Sequence, residues 1–259
     1  ATAILATGAT GGNLAVVGAT GDVDLQNVTN DVAKVAALVS VAAKHFYYTD
    51  ANNLAIDTVA NVGALTSVAG AVNANPGAST VGITTQGNTL GDVKVYAVAG
   101  TLTVNQAVST VPAAGAATPG GTVVLQASGA ITNVAAGTVT TTGAANTTGV
   151  GGVGGEIFIY SSGGTITLGG LVTAAGGSAT GGGTTGGNGG VVTIRTASGD
   201  ILINAAINVS GGVTGSVAAG NGGTVQLTAA GTGNITQTGA TTATAILATG
   251  ATGGNLAVV

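Results

Sequence analysis

The sequence predicts an all-β protein: a right-handed parallel β-solenoid with about seven three-strand coils in each 242-residue repeat. Three observations predict it. The 17 residues ATAILATGATGGNLAVV occur at 1–17 and again at 243–259, so 1–242 reads as one tandem repeat unit and 243–259 as the start of the next identical one. Gly-Gly pairs followed by short alternating segments recur, with the second glycine at Gly121, Gly155, Gly190, Gly223 and Gly254, at intervals of 34, 35, 33 and 31 residues. The composition is that of a stacked coil rather than a globular core: 49 of 259 residues are Gly, 5% are charged and 2% are aromatic. A unit of this length cannot bury an apolar face alone, whereas stacked units bury a continuous one.

The first strand of each coil follows its glycine. Apolar residues stand two and four places on, as Val123/Leu125, Ile157/Ile159, Val192/Ile194, Val225/Leu227 and Leu256/Val258. Gly91 gives Val93/Val95, and Gly12, the counterpart of Gly254, gives Leu14/Val16. Period-2 alternation marks a strand with one face buried, so these fourteen residues are the expected core. A second strand follows at Val23/Leu25, Leu102/Val104, Ile166/Leu168 and Ile201/Ile203, with Ile131 and Ile235 as shorter versions. A third is seen at Val172 and at Ile207/Val209.

Each coil closes with a glycine-rich loop, such as 176–190 or 211–223. The Gly-Asn-Gly-Gly at 187–190 and 220–223 reads as corners needing positive φ. The stretch 18–120 is less regular. Lys44 serves as anchor there, with Phe46/Tyr48 and Leu54/Ile56 inward, and the 47-residue gap to Gly91 implies an extra loop around 73–80, turned at Pro76. Residues 30–44 carry both a helical stripe (Val32, Val35, Leu38, Val39, with Asn30 as cap) and a period-2 run of Val. Strand is favoured, because a helix would interrupt the stack. Seven coils at ~4.8 Å give a repeat of about 34 Å along the axis.

Composition excludes several classes. There is no glycine at every third position and there are only three prolines, so the chain is not collagen-like. Disorder goes with high charge and low hydrophobicity, the reverse of what is seen. No apolar run reaches the ~20 residues of a membrane helix, so no membrane insertion is expected. With no cysteine there is no disulfide or thiolate metal site. Four basic residues against eight acids, a net charge of −4, leave no footprint for nucleic acid. The lack of an initiator Met and of a signal peptide fits a segment internal to a longer chain.

Units such as 189–212 (GGVVTIRTASGDILINAAINVSGG) and 45–59 (HFYYTDANNLAIDTV) resemble the coils of filamentous-haemagglutinin-type proteins, very large exported bacterial surface proteins with right-handed β-helix shafts. The resemblance covers nearly the whole chain. It implies a structural role at the cell surface, as an extracellular fibre or stalk, or alternatively as the ligand-binding shaft of a secreted adhesin. The expected partners are neighbouring copies of the repeat along the fibre axis, with lateral fibre contacts or cell-surface glycans as further ones.

The ionisable residues are few enough to test one by one. A nucleophilic triad would have to use His45 with Asp50 or Asp57, and no nucleophile elbow accompanies it. Glycoside hydrolysis needs carboxylates ~5–9.5 Å apart. Asp22 and Asp24, about 7 Å apart on one strand face, meet that spacing but read as a solubilising pair flanking Val23. Asp50–Asn52 raises calcium, but the loops at 143–155, 176–190 and 211–223 hold no acid. No glycine loop continues into the Lys-Ser/Thr of a phosphate cradle. The threonines at 138, 140 and 142 raise ice binding, yet the outward position three places after each anchor reads Val124, Phe158, Thr193, Gln226, Ala257, not a threonine array. The expectation is therefore no enzyme, no catalytic or metal residue and no cofactor. One outward contact is specific enough to check: Tyr160 and Arg195 share a position on successive coils, within reach of a cation–π contact.

Overall fold

The chain winds through seven turns of a right-handed parallel β-solenoid and enters an eighth. The computed structural model describes residues 4–5, 12–60, 79–86, 91–181, 184–213, 218–238 and 245–259. β1 (Asn13–Ala19) lies on the outermost level. The first coil is β2 (Val23–Leu25) and β3 (Lys34–Val39). The second is β4 (Phe46–Asp50), β5 (Leu54–Ile56), a side pair of β6 (Thr58–Val59) and β7 (Thr80–Val81), and β8 (Ile83–Thr85). Five regular coils follow: β9 (Val93–Ala97), β10 (Leu102–Val104), β11 (Val108–Ser109); β12 (Thr122–Ala127), β13 (Ile131–Asn133), β14 (Val139–Thr140); β15 (Glu156–Ser161), β16 (Ile166–Leu168), β17 (Val172–Thr173); β18 (Val191–Thr196), β19 (Ile201–Ile203), β20 (Ile207–Asn208); and β21 (Thr224–Ala229), β22 (Ile235–Gln237), β23 (Ile246–Leu247). β24 (Asn255–Val258) opens the eighth.

These strands line three faces. The first face is an 8-stranded sheet in the order β2-β4-β9-β12-β15-β18-β21-β24. The second and third faces are one 14-stranded sheet, because β3 belongs to both. Its Lys34 and Val35 pair with β5, and its Ala37–Val39 pair with β8. Among the described strands every pairing is parallel except β6 with β7, and inward residues stack on inward residues, as in Val93–Val123–Ile157–Val192–Val225. Those five, and Val95, Leu125, Ile159, Ile194 and Leu227 beside them, are at most 1% exposed. The strand reading of 30–44 holds: β3 buries Val35, Ala37 and Val39 and turns Leu38 outward.

The first coil departs from the sequence reading in a way that matters. Val23 and Leu25 lie on the first face, in register with Phe46 and Tyr48, not on the second. The anchor of the first coil is therefore Gly21, and Leu14 and Val16 are carried to the second and third faces, against Val35 and Ala37 of β3. The cause is β3 itself. Running straight through two faces, it omits a corner, and the coil from Gly21 to Lys44 is correspondingly short. A bulge in β1 between Val16 and Ala19, with Gly18 at φ +62°, keeps both halves of β1 on β3.

The two copies of the 17-residue segment consequently differ, whereas a simple array would give them one conformation. Asn13–Val17 belongs to β1 on the 14-stranded sheet, while Asn255–Val258 is β24, paired with β21 on the first face. Leu14 and Val16 are half-buried against the core, whereas Leu256 and Val258 are 54% and 57% exposed, because β24 has a strand on one side only.

The extra length before Gly91 falls between β5 and β8, where β6 and β7 pair with each other. Its neck is closed by the Gly82 N–H donating to Asp57 O at 3.1 Å and by the β6/β7 pair. Pro76 and most of the loop assigned to 73–80 lie outside the described residues.

The glycines of the closing loops have a different task from the one expected. None at 187–190 or 220–223 has positive φ. They permit backbone to lie directly on backbone. The two arms of each loop interlock with those of the next through Gly177 N–H to Gly152 O (2.7 Å), Gly187 N–H to Gly177 O (2.9 Å), Gly212 N–H to Gly187 O (2.7 Å) and Gly220 N–H to Gly212 O (3.0 Å). A Cβ at Gly187 would overlap Gly152 O, and one at Gly220 would overlap Gly187 O. Gly187→Ala should therefore lower unfolding stability by about 1–3 kcal/mol, the usual cost of overpacking. Gly21→Ala, where a Cβ meets nothing within 4 Å, should leave the denaturation midpoint in place.

Candidate functional site

The side chains able to recognise a ligand gather on the outside of the first face. Period 2 sends alternate residues outward, and the in-register stacking lines them into two rows. One row reads Asp24–Tyr47–Lys94–Val124–Phe158–Thr193–Gln226–Ala257. The other reads Thr49–Tyr96–Gln126–Tyr160–Arg195–Thr228. Four of the six aromatic residues, Tyr47, Tyr96, Phe158 and Tyr160, thus share one half-buried surface; the other two, Phe46 and Tyr48, are inside. Phe158 and Tyr160 stack at 6.1 Å, and Arg195 stands 5.9 Å from the Tyr160 ring, as their shared position requires. Neighbouring rungs are ~4.8 Å apart, so Tyr96 and Tyr160, two coils apart with Gln126 between them, are separated by about 10 Å.

The ionisable groups concentrate at the other end of the same face. Asp22 accepts from the His45 backbone N–H (3.2 Å) and from Lys44 Nζ (3.3 Å), and lies 3.3 Å from His45 Nδ1. The His45 N–H, with help from the Lys44 and His45 charges, holds its carboxyl below the usual range. His45 stacks on Tyr47 at 4.0 Å. The Tyr47 phenol is pushed up by burial and then by Asp92, Asp22 and Asp24. Asp24 accepts from Gln26 Nε2, and its register partner is Tyr47, so an aromatic ring does adjoin the Asp22–Asp24 pair, which the linear sequence does not show. Asp24 also lines an open groove of about 520 Å³ with Ile4, Leu25, Gln26, Asn27, Val28 and Asn30. Among the described residues Asp24 is the one acid lining this groove.

Asp50, a candidate for a triad or for calcium, is structural. It is fully buried at a corner position that later coils fill with Ala97, Ala127, Ser161, Thr196 and Ala229. Its carboxylate accepts from the Tyr48 hydroxyl (2.8 Å) and from the backbone N–H groups of Val32 (3.0 Å) and Asn52 (2.9 Å). The Tyr48 phenol is raised by burial and by Asp50. Asn30, read as a possible helix cap, is buried beside it and donates to Leu25 O and Thr49 O. Among the described residues no three His, Cys, Asp or Glu side chains are grouped to hold a metal ion.

Asp57 guards the neck of the excursion. It pairs with Lys34 Nζ at 2.8 Å and accepts from the Thr58 N–H and the Asn105 amide. Burial works against its charge, but those three partners outweigh burial and hold its carboxyl below the usual range.

No family model matches the chain, and neither the curated proteins nor the solved structures contain a match.

Because the folded state lowers the Asp57 pKa, its contribution is complete above the ordinary carboxylate value of about 4 and is lost as pH falls through the lowered one. Melts at neutral pH and near pH 3 should thus diverge less in Lys34→Met than in the parent chain. An equal divergence would assign the acid sensitivity elsewhere.

Proposed function

We propose that the chain is a structural segment of a long extracellular fibre or stalk, built as a continuous β-solenoid. The observation that supports this is the unbroken stack: an apolar interior and in-register ladders run from β2 to β24. The ionisable groups that interrupt the pattern have structural partners, Asp50 at a corner and Asp57 at the excursion. The likeness of 45–59 and 189–212 to filamentous-haemagglutinin coils agrees with a surface location, and no helix among the described residues is long and apolar enough to cross a membrane. Neighbouring copies along the axis are the first partners in this reading; lateral contacts would use the outer faces. Immunogold labelling of intact cells that make the protein should decorate thin projections. Label reaching its target only after lysis would contradict the reading.

A second reading has its own support. Aromatic rings set among Lys94, Gln126 and Arg195 on one sheet face suit the apolar faces and hydroxyls of sugars, as in an adhesin shaft. On a glycan array the parent chain should retain an oligosaccharide that a Tyr96→Ala/Tyr160→Ala variant releases; retention unchanged by both substitutions would remove this reading.

A further inference from the structure

Tyr96, Gln126 and Tyr160 form one outward column on three successive coils, at β9, β12 and β15. All three are half-buried, and they stand mid-face, with β4 on one side and β18 and β21 on the other. The column is straight, because β9, β12, β15 and β18 pair residue for residue without a bulge. It therefore presents an aromatic ring, an amide and a second aromatic ring at equal steps of ~4.8 Å, the two rings about 10 Å apart. Phe158 widens the second ring into a platform, since it stacks with Tyr160 at 6.1 Å. Arg195 continues the column one rung on, 5.9 Å from the Tyr160 ring.

We propose that this column binds an uncharged β-1,4-linked polysaccharide, extended along the solenoid axis. The proposal rests on the sugar-binding reading above and adds to it the linkage, the charge and the direction of the chain. A ligand that touches Tyr96 and Tyr160 together must stay straight over two rungs and must present the same face at each. Pyranose rings joined by equatorial β-1,4 bonds meet both conditions. Each ring advances by close to one ~4.8 Å rung and is turned over relative to the one before. Rings one and three then lie alike on the two tyrosines, and ring two meets Gln126. Chains with α-1,4 or β-1,3 bonds coil, and they leave a straight column after one contact.

The side chains suit such a ribbon. The apolar C–H face of a pyranose packs on an aromatic ring, which offers a large flat area and, in tyrosine, a polar tip. The Gln126 amide both donates and accepts, as the hydroxyls of the middle ring require. Charge decides against an acidic polymer. Lys94 and Arg195 flank the column, and among the described residues neither forms an ion pair. Asp92, two places before Lys94, and Glu156, two places before Phe158, share their side of the sheet by alternation. Two bases against two acids leave this patch without net charge. All four serve an uncharged chain as hydrogen-bonding partners for hydroxyls.

Titration calorimetry of the 259-residue chain with soluble oligosaccharides tests the proposal. Cellohexaose and N-acetylated chitohexaose carry the β-1,4 bond; maltohexaose is α-1,4-linked and laminarihexaose β-1,3-linked. At least one of the two β-1,4 hexamers should bind roughly tenfold more tightly than either of the others, the worth of one further aromatic contact. In the preferred β-1,4 series the tetrasaccharide should bind roughly tenfold more tightly than the disaccharide, because two rings cannot reach both tyrosines. Tyr96→Ala and Tyr160→Ala, with the parent circular dichroism spectrum, should each erase that gain. The affinity should change little between low and high salt, since no net charge is matched.

Maltohexaose or laminarihexaose bound as tightly as the β-1,4 hexamers would overturn the proposed linkage and direction, as would equal affinity for di- and tetrasaccharide. Affinity that falls steeply with salt would overturn the uncharged class. Each of these results leaves sugar binding on the face intact, as does a glycan array that retains only other sugars. An array that retains nothing would remove the sugar reading and this proposal together.

Discussion

Main-chain hydrogen bonds between successive coils, laid along the axis at a rung spacing of ~4.8 Å, are the constraint from which the rest follows. They require each residue to sit over its counterpart, so whatever stands at one rung must tolerate its like on the next. Aliphatic side chains meet that condition inside. Like charges do not, which is consistent with 5% charged residues and with their confinement mostly to the irregular first coils. Where a buried charge does occur, at Asp50, three donors surround it and no second carboxylate stacks on it.

The same constraint shapes the closing loops. An arm that leaves the triangle and returns must still satisfy its amides. The described residues of the arms at 143–155, 176–190 and 211–223 do so by lying on one another, and this closeness leaves no room for a Cβ at Gly152, Gly177, Gly187, Gly212 or Gly220. The loops thus extend the stack rather than decorate it. The outward rows of the first face are the positions this constraint leaves open to solvent.

Much of this is legible in the sequence because period 2 and the Gly-Gly anchor are strong local signals. Val123/Leu125 through Val225/Leu227 are inward as their spacing demands. Alternation tells inward from outward; it does not tell which of three faces a strand joins. That is why NLAVV at 13–17 is misplaced by spacing alone: its seat is decided by β3, which runs straight where other coils turn. Glycine is ambiguous for a related reason, since it serves both positive φ and close approach, and only the neighbouring coil shows which. The outer aromatic rows were within reach. Tyr47 and Phe158 stand three places after Lys44 and Gly155, and Tyr96 and Tyr160 five places after Gly91 and Gly155, but their meaning depends on register across five coils.

The central claim is that one hydrogen-bonded stack includes the glycine arms as well as the strands. Amide hydrogen exchange followed by NMR tests it residue by residue. The amides of Gly177, Gly187, Gly212 and Gly220 should exchange as slowly as those of Ile159 and Ile194 in the neighbouring strands. Exchange of these glycines at the rate of open loops, with Ile159 and Ile194 still protected, would contradict the account.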